Sequence, residues 1–133
     1  MNKQIFVNLP VKDLKRSMDF FGKLGYTFNP QFTDDKAACM VISDDIFAML
    51  LVEDFFKSFT FKEIPDTKKT AELTIALSCE NKAAVDQHIE KAVKAGGVSS
   101  QPASDMGFMY SRSFQDLDGH IWEILWMDPS HVQ

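Results

Sequence analysis

The sequence predicts an α+β protein made of two βαβββ modules that form a curled mixed sheet around a cleft. Two observations carry this prediction. A strand-like segment, a capped helix and three extended runs occur in that order twice along the 133 residues. The copies superpose at an offset of 68 residues over the first strand and helix start, carrying Asp13 onto Asn81, Leu9 onto Leu77 and Phe6 onto Thr74. A single module would leave one sheet face uncovered, whereas two side by side enclose a cleft of the kind that takes a ligand.

The first module spans residues 3–54. Ile5 to Val11 alternates and reads as a strand. Asp13 supplies a helix N-cap, and Leu14, Met18, Phe21 and Leu24 follow at helical spacing until Gly25 stops the helix. Three extended runs come next, Tyr26 to Phe32, Ala37 to Ile42 and Ile46 to Val52, with Asp34-Asp35-Lys36 and Ser43-Asp44-Asp45 as turns.

The second module spans residues 71–128. Leu73 to Cys79 alternates as its first strand, and Asn81 caps a helix whose apolar stripe is Val85, Ile89, Ala92 and Val93, ending at Gly96-Gly97. Extended pieces lie near Val98 to Ser100, Met109 to Gln115 and His120 to Met127, the last two joined by the tight turn Asp116-Leu117-Asp118-Gly119. Between the modules, residues 55–70 form a connecting segment with Phe55, Phe56, Phe59 and Phe61. A disordered linker would not carry so many aromatics, so this segment packs as a lid, an intersubunit arm or a strap.

Composition bounds the function. Hydrophobic residues make up 45% and charged residues 25%, an ordinary globular balance. No apolar run approaches the roughly 20 residues of a membrane span. The polar start Met1-Asn2-Lys3-Gln4 has no signal-peptide character, so a cytoplasmic location is expected. The net charge of −5 is dispersed and no Lys/Arg cluster exists, which argues against a nucleic-acid partner. Cys39 and Cys79 lie in apolar runs outside any CxxC motif and read as reduced core residues. Twelve Phe and seven Met suit a large core, and also an apolar ligand cavity.

The segment from Leu9-Pro10-Val11 to Phe20-Phe21 closely resembles the opening strand-helix motif of vicinal-oxygen-chelate proteins, the glyoxalase/bleomycin-resistance/extradiol-dioxygenase superfamily. Asp116-Leu117-Asp118-Gly119-His120-Ile121-Trp122-Glu123 resembles their closing hairpin, with Leu117 where Pro is usual. The resemblance implies the glyoxalase/bleomycin-resistance fold and, in many members, a homodimer. It leaves the chemistry open, because the superfamily includes isomerases, dioxygenases, thiol transferases and drug-binding proteins. Metal-dependent members hold a divalent ion with four residues on the first and last strand of each module. Residue by residue, those positions fall on Phe6, Leu50, Thr74 and Glu123. Phe6 and Leu50 have no donor atom and Thr74 is a poor one, so no metal cofactor is expected.

Strand alternation then gives a candidate ligand-binding cleft of Phe6, Asn8, Leu50, Glu72, Thr74, Tyr110, Arg112, Phe114 and Glu123. Ala48, Val52 and Ala76 are expected on the same face. If Gln115 pairs with His120, Arg112 lies opposite Glu123 and forms an ion pair with it. Glu123 is the single candidate for acid-base catalysis. His88 reads as exposed on its helix, His131 as part of a frayed tail and His120 as a strand-start residue. The leading functional expectation is metal-independent binding of a small apolar or amphipathic molecule. An enzyme acting on a small carbonyl or thiol-linked metabolite and a non-catalytic ancillary protein are the alternatives.

Overall fold

The computed structural model describes residues 2–99 and 101–131. The chain divides into two compact units, Met1–Pro65 and Asp66–Gln133. No helix of the described residues is long and apolar enough to cross a membrane.

In the first unit β1 (Ile5–Val11) leads through α1 (Leu14–Lys23) to β2 (Thr27–Phe28), β3 (Ala37–Ser43) and β4 (Ile46–Val52). The Asp13 side chain accepts from the Arg16 N–H at 3.1 Å and starts α1. Leu14, Ser17, Phe20 and Phe21 recur every three to four residues, so one stripe of the helix is buried. Gly25, with φ +103°, ends the turn in a conformation that a side chain would strain. The strand order is β1-β4-β3-β2, with β1 parallel to β4 and the other pairs antiparallel. The expected run Tyr26 to Phe32 is only two residues of strand. Asn29 accepts from the Gln31 N–H and opens a short 3₁₀ turn, Pro30–Phe32, because the Pro at its first position presets the helical φ. A short helix, α2 (Glu53–Lys57), follows β4 directly and packs on β1 and β4. Phe55 meets Phe59 edge to face at 5.1 Å, while Phe59 and Phe61 are exposed.

The second unit repeats the order. β5 (Thr74–Ser78) is followed by α3 (Lys82–Lys94), β6 (Ser104–Asp105), β7 (Met109–Gln115) and β8 (Ile121–Met127), paired as β5-β8-β7-β6. Asn81 accepts from the Ala84 N–H at 2.7 Å, and Val85, Ile89 and Ala92 are the buried stripe of α3. Val93, expected in that stripe, is 48% exposed, since Ala92 already occupies the inward position. The expected strand near Val98 to Ser100 reduces to a bridge between Val98 and Gln115, and the edge strand is instead Ser104–Asp105; Ser100 lies outside the described residues.

The helix-facing side of each sheet carries much of the core, and the first sheet also buries Ala37, Cys39 and Leu51 on its other face. Leu9, Val11, Ala38, Met40, Ala48 and Leu50 are buried together on the α1 side of the first sheet. Phe114, Trp122 and Ile124 are buried where α3 packs on β7 and β8. Each Val, Leu, Ile, Met or Phe among them contributes about 1.5–3 kcal/mol by leaving water.

Candidate functional site

The faces turned away from α1 and α3 carry the side chains of the candidate site. In the first unit, parallel pairing sets Phe6 beside Phe47, Asn8 beside Met49 and Pro10 beside Leu51. Phe6 is 49% exposed and stacks on Phe47 at 4.8 Å. Asn8 is exposed and Met49 half-buried. At its Phe6 end this face is an aromatic and thioether surface with one amide, while Pro10, Ala37, Cys39 and Leu51 on the same face are buried.

In the second unit, Thr74, Ala76 and Ser78 are exposed on β5, beside Ile121, Glu123 and Leu125 of β8. Ser111, Ser113 and Gln115 continue the same face on β7. The Thr74 hydroxyl donates to Glu123 Oε2 at 3.2 Å. Glu72 is exposed, two residues before β5 and outside any strand.

Six of the residues expected on the cleft face lie elsewhere. Leu50 is fully buried on the α1 side, opposite Ala38 and beside Leu9, and Ala48 shares that side. Val52 pairs with buried Val11, also on the α1 side. The reason is parity: β1 pairs with β4 at an odd offset, so even positions of β1 share a face with odd positions of β4. Tyr110, Arg112 and Phe114 lie on the α3 side of the second sheet. Gln115 pairs with Ile121 rather than His120, so Ser113 stands opposite Glu123 and Arg112 opposite Ile124. Arg112 donates to Asp86 of α3 at 3.1 Å, and the Tyr110 hydroxyl donates to the same oxygen at 2.7 Å. These bonds hold the Asp86 carboxyl below its ordinary value, the Tyr110 bond most, and push the Tyr110 hydroxyl up.

The turn that decides this parity is built by Asp116. Its carboxylate accepts the N–H groups of Asp118 at 2.9 Å and His120 at 3.0 Å, together with the Trp122 indole at 3.0 Å. Five residues thus separate the strands. Burial pushes the Asp116 carboxyl up, opposed by the neighbouring His120 and by those donors. The available signal was apolar matching, because this register puts Phe114 across from Trp122, with rings parallel within 6° and 6.4 Å apart. His88, expected to be exposed, is partly buried and stacks on Phe114 at 5.7 Å, and burial lowers its pKa. His131 is exposed and lies over the Phe108 ring at 4.1 Å. Both cysteines are free thiols, and burial raises the pKa of each.

The observed register also revises the positions at which the resemblance implies metal ligands. At the 68-residue offset Asn8 falls on Ala76, and their strand partners are Met49 and Glu123. Met49, not Leu50, is therefore the counterpart of Glu123. The first unit offers a phenyl ring and a thioether at these positions, and the second a hydroxyl and a single carboxylate. Such donors do not fit nickel, zinc, iron or manganese, which want several imidazole or carboxylate ligands. Among the described residues no three His, Cys, Asp or Glu side chains come together as a metal site.

Residues 3–43 match the family model described as bleomycin resistance protein-like N-terminal. No curated protein matches the chain. Solved structures do. The hypothetical protein SA1046 from S. aureus is 28% identical, with 95% of each chain covered and a TM-score of 0.79. A glyoxalase/bleomycin resistance protein/dioxygenase family enzyme from Burkholderia phytofirmans PsJN is 13% identical over 95% of this chain and 99% of its own, with a TM-score of 0.80. The fosfomycin resistance protein FosX from Mesorhizobium loti is 17% identical over 98% and 97%, with a TM-score of 0.70. The fold is that of the glyoxalase/bleomycin-resistance/dioxygenase proteins. That fold and the match of its first module agree with the resemblance to the vicinal-oxygen-chelate superfamily expected from the sequence.

Proposed function

We propose that this protein binds a small apolar or amphipathic molecule without a metal ion. The carrying observation is the open face of the first sheet. Where metal-dependent relatives place a ligand, this chain presents Phe6, half exposed and stacked on Phe47, with Met49 and Asn8 next to it. An exposed aromatic pair costs solvation free energy in the unliganded protein, and a planar apolar ligand recovers it. The amide of Asn8 gives such a ligand one oriented polar contact. The names of the matching family model and of the FosX relative concern resistance to small molecules, which agrees with this role. A reaction on a small carbonyl or thiol-linked metabolite is the second reading. It is favoured by the Glu123 carboxylate on the open face of the other sheet.

Thermal unfolding of chelator-treated protein against a panel of aromatic amphiphiles tests the proposal. A ligand at a hundred times its Kd raises stability by about 2.7 kcal/mol. The expected result is a saturable rise that Phe6→Ala abolishes and that added nickel or zinc leaves unchanged. Binding that appears only with a divalent ion would overturn it, and so would a panel with no binder.

A further inference from the structure

Glu123 is the charged group on the open face of the second sheet, and among the described residues neither ion pair includes it. Those pairs join Lys82 to Asp105 and Arg112 to Asp86. The contact made by the Glu123 carboxylate is with Thr74, whose hydroxyl donates to it. A hydroxyl has one hydrogen, so Thr74 then presents only lone pairs outward. The couple offers a negative charge and several acceptors but no donor. Its surroundings leave room. Ala76 lies beside Glu123 and Ser113 opposite, both small. Ile121 and Leu125, two residues away on either side, are half-buried on the same face.

A ligand group that complements this couple donates hydrogen bonds and carries positive charge, and the Ser113 hydroxyl opposite can accept a further bond from it. An alkylammonium has three N–H donors and no lone pair. Its bonds to a carboxylate are charge-assisted and roughly twice as strong as neutral ones. A carboxylate ligand would be repelled, and an alcohol would lack the charge. We propose that Glu123 and Thr74 recognise the ammonium group of an amphipathic amine, with Ile121 and Leu125 against its hydrocarbon part. This site stands on the second unit and goes beyond the reading above, which is carried by the first unit.

Calorimetric titration of chelator-treated protein with naphthylmethylamine and with naphthylmethanol, at a pH where the amine is charged, separates the two ideas. The amine is expected to bind at least about tenfold more tightly than the alcohol. Glu123→Gln keeps the shape and removes the charge, and should bring the amine down to about the affinity of the alcohol. Thr74→Val should reduce the preference in part, and serves as the second variant if Glu123→Gln folds poorly. Equal affinities in the unmodified protein, or a preference that survives both substitutions, overturn the ammonium site alone. Failure of the amine to bind overturns the ammonium site as well, and leaves the Phe6 reading to its own test.

Discussion

The Trp122 indole N–H donates to the Asp116 carboxylate at 3.0 Å, which ties the turn between β7 and β8 to the largest fully buried side chain of the second unit. The other carboxylate oxygen holds two backbone N–H groups of the same turn. Asp116→Ala strands three donors in a region with little water. Each buried unsatisfied group costs about 1–3 kcal/mol, so the substitution should cost roughly 3 kcal/mol or more. Urea denaturation at neutral pH measures it, with Asp116→Asn expected to lose less. A cost below about 1 kcal/mol would show that the turn relaxes to let water in.

Gly119 and Gly107 offer an internal control. Both have positive φ, +87° and +83°, so alanine strains either backbone by about 1–2 kcal/mol. Only at Gly119 would the added Cβ run into the Thr67 carbonyl, whereas at Gly107 it meets open space. Gly119→Ala should therefore be clearly the more damaging of the two when their unfolding midpoints are compared. Equal losses would mean that the Thr67 segment gives way freely.

Asp86 predicts an acid response. Its carboxyl lies below the ordinary value because Tyr110 and Arg112 bond its charged form. A lowered carboxylate pKa favours the folded state above the unfolded pKa, near pH 4, and that contribution fades as pH falls further. Asp86→Asn should therefore be less stable than the parent at pH 7, with the two stability curves converging below about pH 4. Since Asp86 is substantially exposed, the gap will be small. Parallel curves down to pH 3 would rule the contribution out.

His88 acts higher on the scale. Burial against Phe114 disfavours its charged form, and Lys91 adds to the effect. The unfolded chain therefore takes up the proton first, and stability declines as pH falls through about 6.5. A histidine NMR titration should place the His88 midpoint below that value. His88→Gln should flatten the loss of stability between pH 7 and 5. A His88 midpoint at or above the ordinary value would contradict the burial argument.

Helices and their caps were legible in the sequence because they depend on neighbours. Asp13 and Asn81 reach N–H groups three residues on, and Gly25 and Gly96 stand where the backbone turns left-handed. The bounds of β4 and β7 also follow from local alternation. Facing was harder, because it depends on pairing parity across a gap. Leu50 and Arg112 each sit on a strand whose existence was clear, yet one residue of register moved both to the helix side. In the candidate site, Phe6, Asn8, Thr74 and Glu123 were legible. Phe47, Met49 and Ser113 were not, since only the register brings them to the open faces. The α2 helix was hidden because its five residues are too few for periodicity to show.

The contact between Thr67 and the Asp118 carbonyl reaches beyond the turn itself. Asp66 starts a local coil by accepting the N–H groups of Lys68, Lys69 and Thr70, and Thr67 hooks this coil onto the hairpin. The second half of the duplication therefore has a leader of its own, eight residues ahead of its first strand at Thr74. Anyone who cuts the gene to express that half alone, or splices a tag between the halves, has to join the chain ahead of Asp66. A junction at residue 71 would keep every strand and the helix, yet discard the brace on the turn that sets which way β7 faces.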